Sequence, residues 1–116
     1  MYKLIAIDLD GTLLNSYGEI SDVNKNAIKE AKHNGIEIVL TSGRMSSSII
    51  ALANEIEANN YIIAGNGAIF YDLKNNKILY NECIPKQKVL EIIKICDDND
   101  IYYTLNTEKY ILAKKL

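Results

Sequence analysis

KLIAIDLDGTLL, residues 3–14, joins an apolar strand to two carboxylates and a glycine. Leu4–Ile7 form a near-continuous apolar run, which is typical of a strand buried on both faces in a parallel sheet covered by helices. Such sheets bind ligands outside the carboxyl ends of their strands, and Asp8 and Asp10 follow at that end. Because side chains alternate along a strand, the two acids point to one side while Leu9 points into the core. The stretch therefore predicts an acidic site at the edge of an α/β sheet.

Two neighbouring carboxylates favour a bound cation, a shared proton or both, because like charges at close range are costly when unpaired. Mg²⁺ suits them, since it takes oxygen ligands and often combines one or two carboxylates with a substrate phosphate. One carboxylate could then attack a phosphoryl group while the other transfers a proton. Gly11 permits a sharp turn, and Thr12 offers a hydroxyl beside the acids. The residues alone also fit an ordinary Asp-Gly turn, a metal-dependent glycosyltransferase or the acidic pocket of a receiver domain.

Residues 8–14, DLDGTLL, resemble the first motif of the haloacid dehalogenase superfamily, in its phosphatase branch. The second acid, Asp10, is the feature that resembles phosphatases rather than dehalogenases. The resemblance implies that Asp8 is the nucleophile and Asp10 the general acid/base. It also implies that Mg²⁺ is held by Asp8 and by Asp10, the latter through its main-chain carbonyl.

A second apolar strand, 36–40, follows a helix that we predict from a Ser21 cap to about residue 34. This strand ends in Thr-Ser-Gly-Arg, which we expect at the same sheet edge as Asp8. A hydroxyl, the amides of a helix start and a bidentate cation are suitable phosphate donors. Ser42 resembles the phosphate-binding Thr or Ser of the family's second motif, whereas helix capping is the explanation we prefer for the serines that follow.

The third apolar strand, 61–64, ends in Gly-Asn-Gly-Ala, which is first of all a turn signal. The Asn-Gly-Ala triplet also resembles a loop that faces the active site in the Cof-type subfamily of these phosphatases. Asn66 is therefore a candidate substrate contact. The predicted phosphate or substrate contacts are Leu9, Ser42, Gly43, Arg44 and Asn66.

Alternating residues over 68–80 then predict a β-hairpin with its turn at 74–77, and a helix with an apolar stripe follows through about residue 98. Residues 101–113 predict a second hairpin with its turn at 106–109. By resemblance to Cof-type phosphatases, this later part begins the cap, a mobile lid that selects the substrate. We predict a partial core domain at 1–83 and the start of a cap at 84–116.

Composition is that of a soluble globular protein, with 48% hydrophobic and 24% charged residues. The net charge of −2 gives no basic surface for nucleic acid or an anionic membrane. No apolar run approaches the length of a spanning helix, and no leader pattern opens the sequence, so a cytoplasmic location is expected. Cys83 and Cys96 lack metal-ligand spacing and are expected to be buried, reduced thiols.

The fold class is α/β: a partial Rossmann-like core of three parallel strands with helices, then a hairpin and a truncated α+β cap. The predicted function is Mg²⁺-dependent hydrolysis of a small phosphorylated metabolite through an aspartyl-phosphate. The family's later Lys and G-D-x-x-N-D-like motifs have no counterpart here, so an N-terminal fragment with little activity alone is expected. Its first strand would form an exposed edge, which predicts a homo-oligomer or a missing C-terminal portion. The alternative is a non-catalytic phosphate-binding, metal-binding or assembly module.

Overall fold

The computed structural model describes residues 1–58, 60–107 and 110–114. Its elements follow the predicted order, with boundaries within about two residues of those predicted for the first three strands and the helices. In chain order they are β1 (Leu4–Asp8), a tight turn (Leu9–Leu13), α1 (Asp22–His33), β2 (Glu37–Thr41), α2 (Ser46–Glu55), β3 (Tyr61–Ala64), a second tight turn (Gly65–Gly67), β4 (Ile69–Asp72), β5 (Lys77–Asn81), α3 (Lys86–Asp98), β6 (Thr104–Asn106) and β7 (Ile111–Ala113).

The main sheet has the strand order β1-β2-β3-β4-β5. Strands β1, β2 and β3 run parallel, and β4 and β5 continue the sheet as an antiparallel hairpin. The predicted α/β class with three parallel strands followed by a hairpin is therefore confirmed. In the register of β1 with β2, Asp8 lies opposite Thr41, so the two strands end side by side.

The core lies between this sheet and the two helices that connect its parallel strands. The largest fully buried side chains come from the turn after β1, from β2, from α2 and from β3; they are Leu9, Ile38, Leu40, Ile49 and Ile62. Each such side chain contributes about 1.5–3 kcal/mol through burial. Helix α1 begins where predicted, because the Ser21 hydroxyl accepts a hydrogen bond from the Asn24 amide at 3.3 Å.

Strand β1 departs from its prediction as a strand buried on both faces. Leu4 is 52% exposed and Ile5 is 39% exposed. Among the described residues β1 pairs only with β2, so its outer edge and the side chains beside it lack cover. The apolar run correctly predicts a strand. The exposure of that strand depends on what packs beside it.

The chain divides into two compact units, Met1–Asn81 and Glu82–Leu116. In the second unit, α3 precedes the β6–β7 hairpin, and the Lys114 ammonium lies 3.4 Å from carboxylates of Asp97 and Asp100. The predicted turn of this hairpin includes residues 108 and 109, which lie outside the described residues. Within the described part of the chain, no helix combines the length and apolarity needed to cross a bilayer.

Cys83 and Cys96 are not joined in a disulfide, but their burial differs from the prediction. Cys96 is half-buried on α3, whereas Cys83 is exposed in the segment between β5 and α3. This segment is neither helix nor strand, so periodicity gives no indication of which of its side chains are buried.

Candidate active site

The carboxyl ends of β1, β2 and β3 bring the predicted site residues to one edge of the sheet. Asp8 is the last residue of β1, and Ser42 directly follows β2. The Ser42 amide donates to the Ile63 carbonyl of β3 at 3.0 Å, which ties the loop after β2 to the third strand. The expected convergence at this edge thus follows from parallel pairing.

The Asp8 carboxylate is exposed and oriented by its own loop. Its Oδ2 atom accepts a hydrogen bond from the Thr12 hydroxyl at 3.1 Å. Gly11 allows this return of the chain, because its φ of +79° lies in the left-handed region that glycine adopts without strain. Thr12 therefore holds the predicted nucleophile. Its position beside the acids indicated such a role, although Thr12 was not among the predicted site residues.

Asp10 and Arg44 form a two-point ion pair across the site. Arg44 donates from Nε to Oδ2 of Asp10 at 2.9 Å and from Nη2 to Oδ1 at 2.6 Å. This hydrogen-bonded guanidinium holds the pKa of the Asp10 carboxyl below its ordinary value, and the same contact raises the pKa of Arg44. The charged, carboxylate form of Asp10 is thereby favoured, and Arg44 already has one anionic partner.

Ser42 and Leu9 are the buried members of the predicted set. Ser42 is 4% exposed, and its hydroxyl accepts a hydrogen bond from the Arg44 amide at 3.2 Å. Leu9 is fully buried, as the alternation of side chains predicts. A substrate contact at Leu9 stays a prediction.

Asn66 lies against the loop that carries Ser42 and Arg44. Its amide donates to the Ser42 carbonyl at 3.1 Å. Its side chain lies beside Gly43, since a Cβ atom built on Gly43 would be 2.8 Å from Oδ1 of Asn66. The turn after β3 therefore lies at the same edge as the acids, as the sequence predicted. The side-chain amide of Asn66 lies against the backbone of Gly43.

Only a few oxygen atoms at this edge are suited to bind a small hard cation. Among the described residues no group of three or more His, Cys, Asp or Glu side chains is placed to hold a metal ion. Asp8 offers an exposed carboxylate, whereas both carboxylate oxygens of Asp10 accept from Arg44. The main-chain carbonyl of Asp10 takes no part in this ion pair, so it could bind a cation without breaking the pair. One carboxylate and one carbonyl, completed by a phosphate, fit the ligand set that Mg²⁺ takes in proteins.

A second concavity lies at the opposite end of β2 and is a weaker candidate. It has a volume of about 310 Å³ and is lined in part by Lys32, Glu37 and Asn60. The Lys32 ammonium donates to the carbonyls of Ile56 and Glu57, and the Asn60 amide donates to Glu37 at 2.8 Å. These polar groups are already hydrogen-bonded within the protein, so we interpret the concavity as structural and not as a ligand site.

Three parallel strands whose carboxyl ends carry an Asp-x-Asp turn and a Ser-Gly-Arg loop define an α/β protein with its candidate site at one edge of the sheet. Residues 5–116 match the family model of the haloacid dehalogenase-like hydrolases, and the chain belongs to that family. The predicted family is thus confirmed.

Proteins similar to this chain include curated phosphatases and a haloacid dehalogenase-like hydrolase of known structure. Phosphatase YwpJ of Bacillus subtilis is 35% identical over 105 residues, covering 90% of this chain and 36% of that protein. The 5-amino-6-(5-phospho-D-ribitylamino)uracil phosphatase YcsE of the same organism is 40% identical over 86 residues, covering 71% and 34%. A haloacid dehalogenase-like hydrolase from Bacteroides thetaiotaomicron superposes with a TM-score of 0.87 at 31% identity, covering 99% of this chain and 44% of that one. The chain therefore spans about a third of the length of these phosphatases.

Proposed function

We propose that this chain carries the nucleophile and the acid/base of a Mg²⁺-dependent phosphatase that hydrolyses small phosphomonoesters. The observation that carries the proposal is the convergence of Asp8 with the Asp10–Arg44 pair at the carboxyl edge of the parallel sheet. The phosphatase relatives support the same reaction class. The alternative, a non-catalytic phosphate-binding, metal-binding or assembly module, would use the same residues without turnover.

In the first half-reaction, a carboxylate oxygen of Asp8 attacks the phosphorus atom and the bond from phosphorus to the ester oxygen breaks. The hydrogen bond from Thr12 to Oδ2 restrains this exposed carboxylate. Asp10 supplies the proton that the leaving alkoxide needs. The products are the alcohol and an aspartyl-phosphate at Asp8.

In the second half-reaction, Asp10 accepts a proton from water while the water oxygen attacks phosphorus and the bond to Asp8 breaks. This step requires Asp10 as a carboxylate, which is the form that its contact with Arg44 favours. The first step requires the protonated form, so Arg44 has to loosen its hold on Asp10 when the substrate arrives. An anionic phosphoryl group offers Arg44 an equivalent bidentate partner.

Phosphate binding is assigned to the loop after β2 and to the backbone near Asp8. Ser42, Gly43 and Arg44 supply a hydroxyl, a close main-chain approach and a cation, with Asn66 beside them. Leu9 contributes through its backbone. Asp8 and the main-chain carbonyl of Asp10 would hold Mg²⁺. When bound, the ion would offset the negative charge of the attacking carboxylate and of the phosphoryl oxygens.

We assign residues 84–116, within the second unit, as the beginning of a cap that selects the substrate. The support is the resemblance together with the division of the chain next to Asn81. The proposed substrate class is a small phosphorylated metabolite, whose phosphoryl group would be bound by the Ser42 hydroxyl and the Arg44 guanidinium.

The test compares the wild-type chain with Asp8→Asn in hydrolysis of p-nitrophenyl phosphate, with and without Mg²⁺. We expect slow Mg²⁺-dependent release of p-nitrophenol by the wild type and a rate at least about a hundredfold lower in Asp8→Asn, because the nucleophile is lost. Asp22→Asn, which removes an exposed carboxylate at the start of α1, is the matched control and should keep the wild-type rate.

Binding is measured on the same variants, through the amide signals of Ser42 and Arg44 during titration with inorganic phosphate. Phosphate binding that persists in Asp8→Asn, combined with equal and Mg²⁺-independent background hydrolysis in both proteins, would favour the non-catalytic module.

A further inference from the structure

The turn Gly65–Gly67 holds the Ser42–Arg44 loop through its main chain. Gly65, Asn66 and Gly67 have φ values of +58°, +56° and +93°, so three successive residues take left-handed conformations. This path aims two amides at the loop: Gly65 donates to the Arg44 carbonyl at 2.9 Å and Asn66 to the Ser42 carbonyl at 3.1 Å. The loop is thus bound on both sides of Gly43.

The Asn66 side chain fills the remaining space beside Gly43. A Cβ atom on Gly43 would lie 2.8 Å from Oδ1, 3.3 Å from Nδ2 and 3.4 Å from Cγ of Asn66. Gly43 itself is outside the left-handed region, so its φ does not require glycine. A side chain at position 43 would have to displace the side-chain amide of Asn66, which occupies that volume.

We infer that Asn66 is a positioning residue, which sets the Ser42–Arg44 loop so that the Arg44 guanidinium reaches Asp10. The inference rests on the proposed function in one respect, because it takes the Ser42–Arg44 loop as the phosphate-binding site. The contact is indirect: Asn66 touches Gly43 and Ser42, and Arg44 carries the effect to the acids. Asn is suited to the role because it tolerates a left-handed backbone better than most residues and still presents a planar amide.

A double-mutant cycle with Gly43→Ala and Asn66→Gly tests the inference. Asn66→Gly removes the side chain without backbone strain, since glycine adopts a φ of +56° freely. The first readout is the Arg44 Nε–H signal, whose exchange with water is slow while it is bonded to Asp10. Asp10→Asn identifies the signal by weakening this bond. The second readout is the affinity for inorganic phosphate.

Each single variant is expected to speed Arg44 Nε–H exchange by about fivefold, the effect of roughly one hydrogen bond, and to weaken phosphate binding by a similar factor. In the double variant, Gly43→Ala should add nothing to Asn66→Gly, because the clash has been removed. Asn66→Asp retains the volume and the left-handed preference and should keep the slow exchange of the wild type.

Gly18→Ala is the control for additivity: its added Cβ meets no atom within 4 Å, and the backbone strain that follows from its φ of +77° should simply add to the effect of Asn66→Gly. Additive effects of Gly43→Ala and Asn66→Gly would overturn the inference. So would weaker phosphate binding by Asn66→Gly with an unchanged Arg44 signal, because Asn66 would then contact phosphate directly. If Gly43→Ala does not fold, the exchange rates of Asn66→Gly and Asn66→Asp decide the question alone. A wild-type chain that binds no phosphate would count against the proposed function, while the Arg44 signal would still test the role of Asn66.

Discussion

Arg44 and Asp10 are 34 residues apart in the chain and form the closest charged contact of the candidate site. Their side chains meet because parallel β1 and β2 end at the same level, with Asp8 opposite Thr41. The planar guanidinium matches both carboxylate oxygens, which a lysine ammonium cannot do from one point. The sequence indicated each residue separately, whereas the pairing depends on strand register.

Arg44→Lys should weaken binding of inorganic phosphate by about tenfold or more, since the charge remains but the second hydrogen bond is lost. Isothermal titration at low ionic strength measures the change. Lys29→Arg, on the exposed side of α1, is the control and should leave the affinity unchanged. An Arg44→Lys chain that binds phosphate as tightly as the wild type would show that a point charge is sufficient.

The β4–β5 hairpin depends on one buried acid at the end of β4. Asp72 is 7% exposed and accepts hydrogen bonds from the Asn75 backbone amide at 2.9 Å and from its side chain at 2.7 Å. The hydrogen bond from the Asn75 side chain, followed by that from its backbone, holds the pKa of Asp72 below its ordinary value of 3.8. The alternation of residues predicted this hairpin, but it did not indicate which acid closes the turn.

Asp72→Asn should lower the melting temperature near neutral pH, and the difference from the wild type should shrink on acidification. A carboxyl group with a lowered pKa in the folded state contributes stability above its unfolded pKa and loses it as the pH falls through the folded value. The window therefore begins near pH 3.8 and extends below it. Thermal unfolding of both proteins between about pH 6 and pH 2 measures the effect.

Asn75→Ala removes the side-chain donor and should reproduce part of this behaviour. A difference between wild type and Asp72→Asn that stays constant across the pH range would mean that the carboxylate charge does not stabilise the turn.

At the scale of the whole molecule, β1 pairs only with β2 among the residues that the structure describes, so its other edge is open there. Leu4 is 52% exposed and Ile5 39% exposed on this strand. Unpaired backbone groups beside apolar side chains favour addition of another strand. A second copy satisfies this edge most simply, because two β1 strands related by a two-fold axis would pair antiparallel and close the assembly.

We therefore predict a homodimer through β1, detected by light scattering over a dilution series at micromolar concentrations. Ile5→Lys places a charge on this strand and should shift the protein towards the monomer. Val23→Lys is the control, since Val23 is an apolar residue that is 77% exposed on α1, away from any strand edge. A wild-type monomer throughout the series would contradict the prediction.

The comparison of Val23 with Ile28 illustrates what a local pattern can and cannot resolve. Both lie on α1, where helical spacing places Val23, Ala27 and Ala31 on one face. The structure buries Ile28 at 5% exposure and leaves Val23 outside the core. Periodicity correctly indicates that a helix is amphipathic, but the exact side that packs depends on where the sheet lies.

The sequence by itself determined the order of strands and helices, the Ser21 cap of α1, the two hairpins and the position of Asp8, Asp10 and Ser42 at strand ends, because these follow from periodicity and turn chemistry within a few residues. Only the tertiary structure decided that Arg44 binds Asp10 and that Asn66 fills the space beside Gly43. Those contacts join distant parts of the chain. Their geometry is set by the register of parallel strands and by the packing around them, which local pattern does not encode.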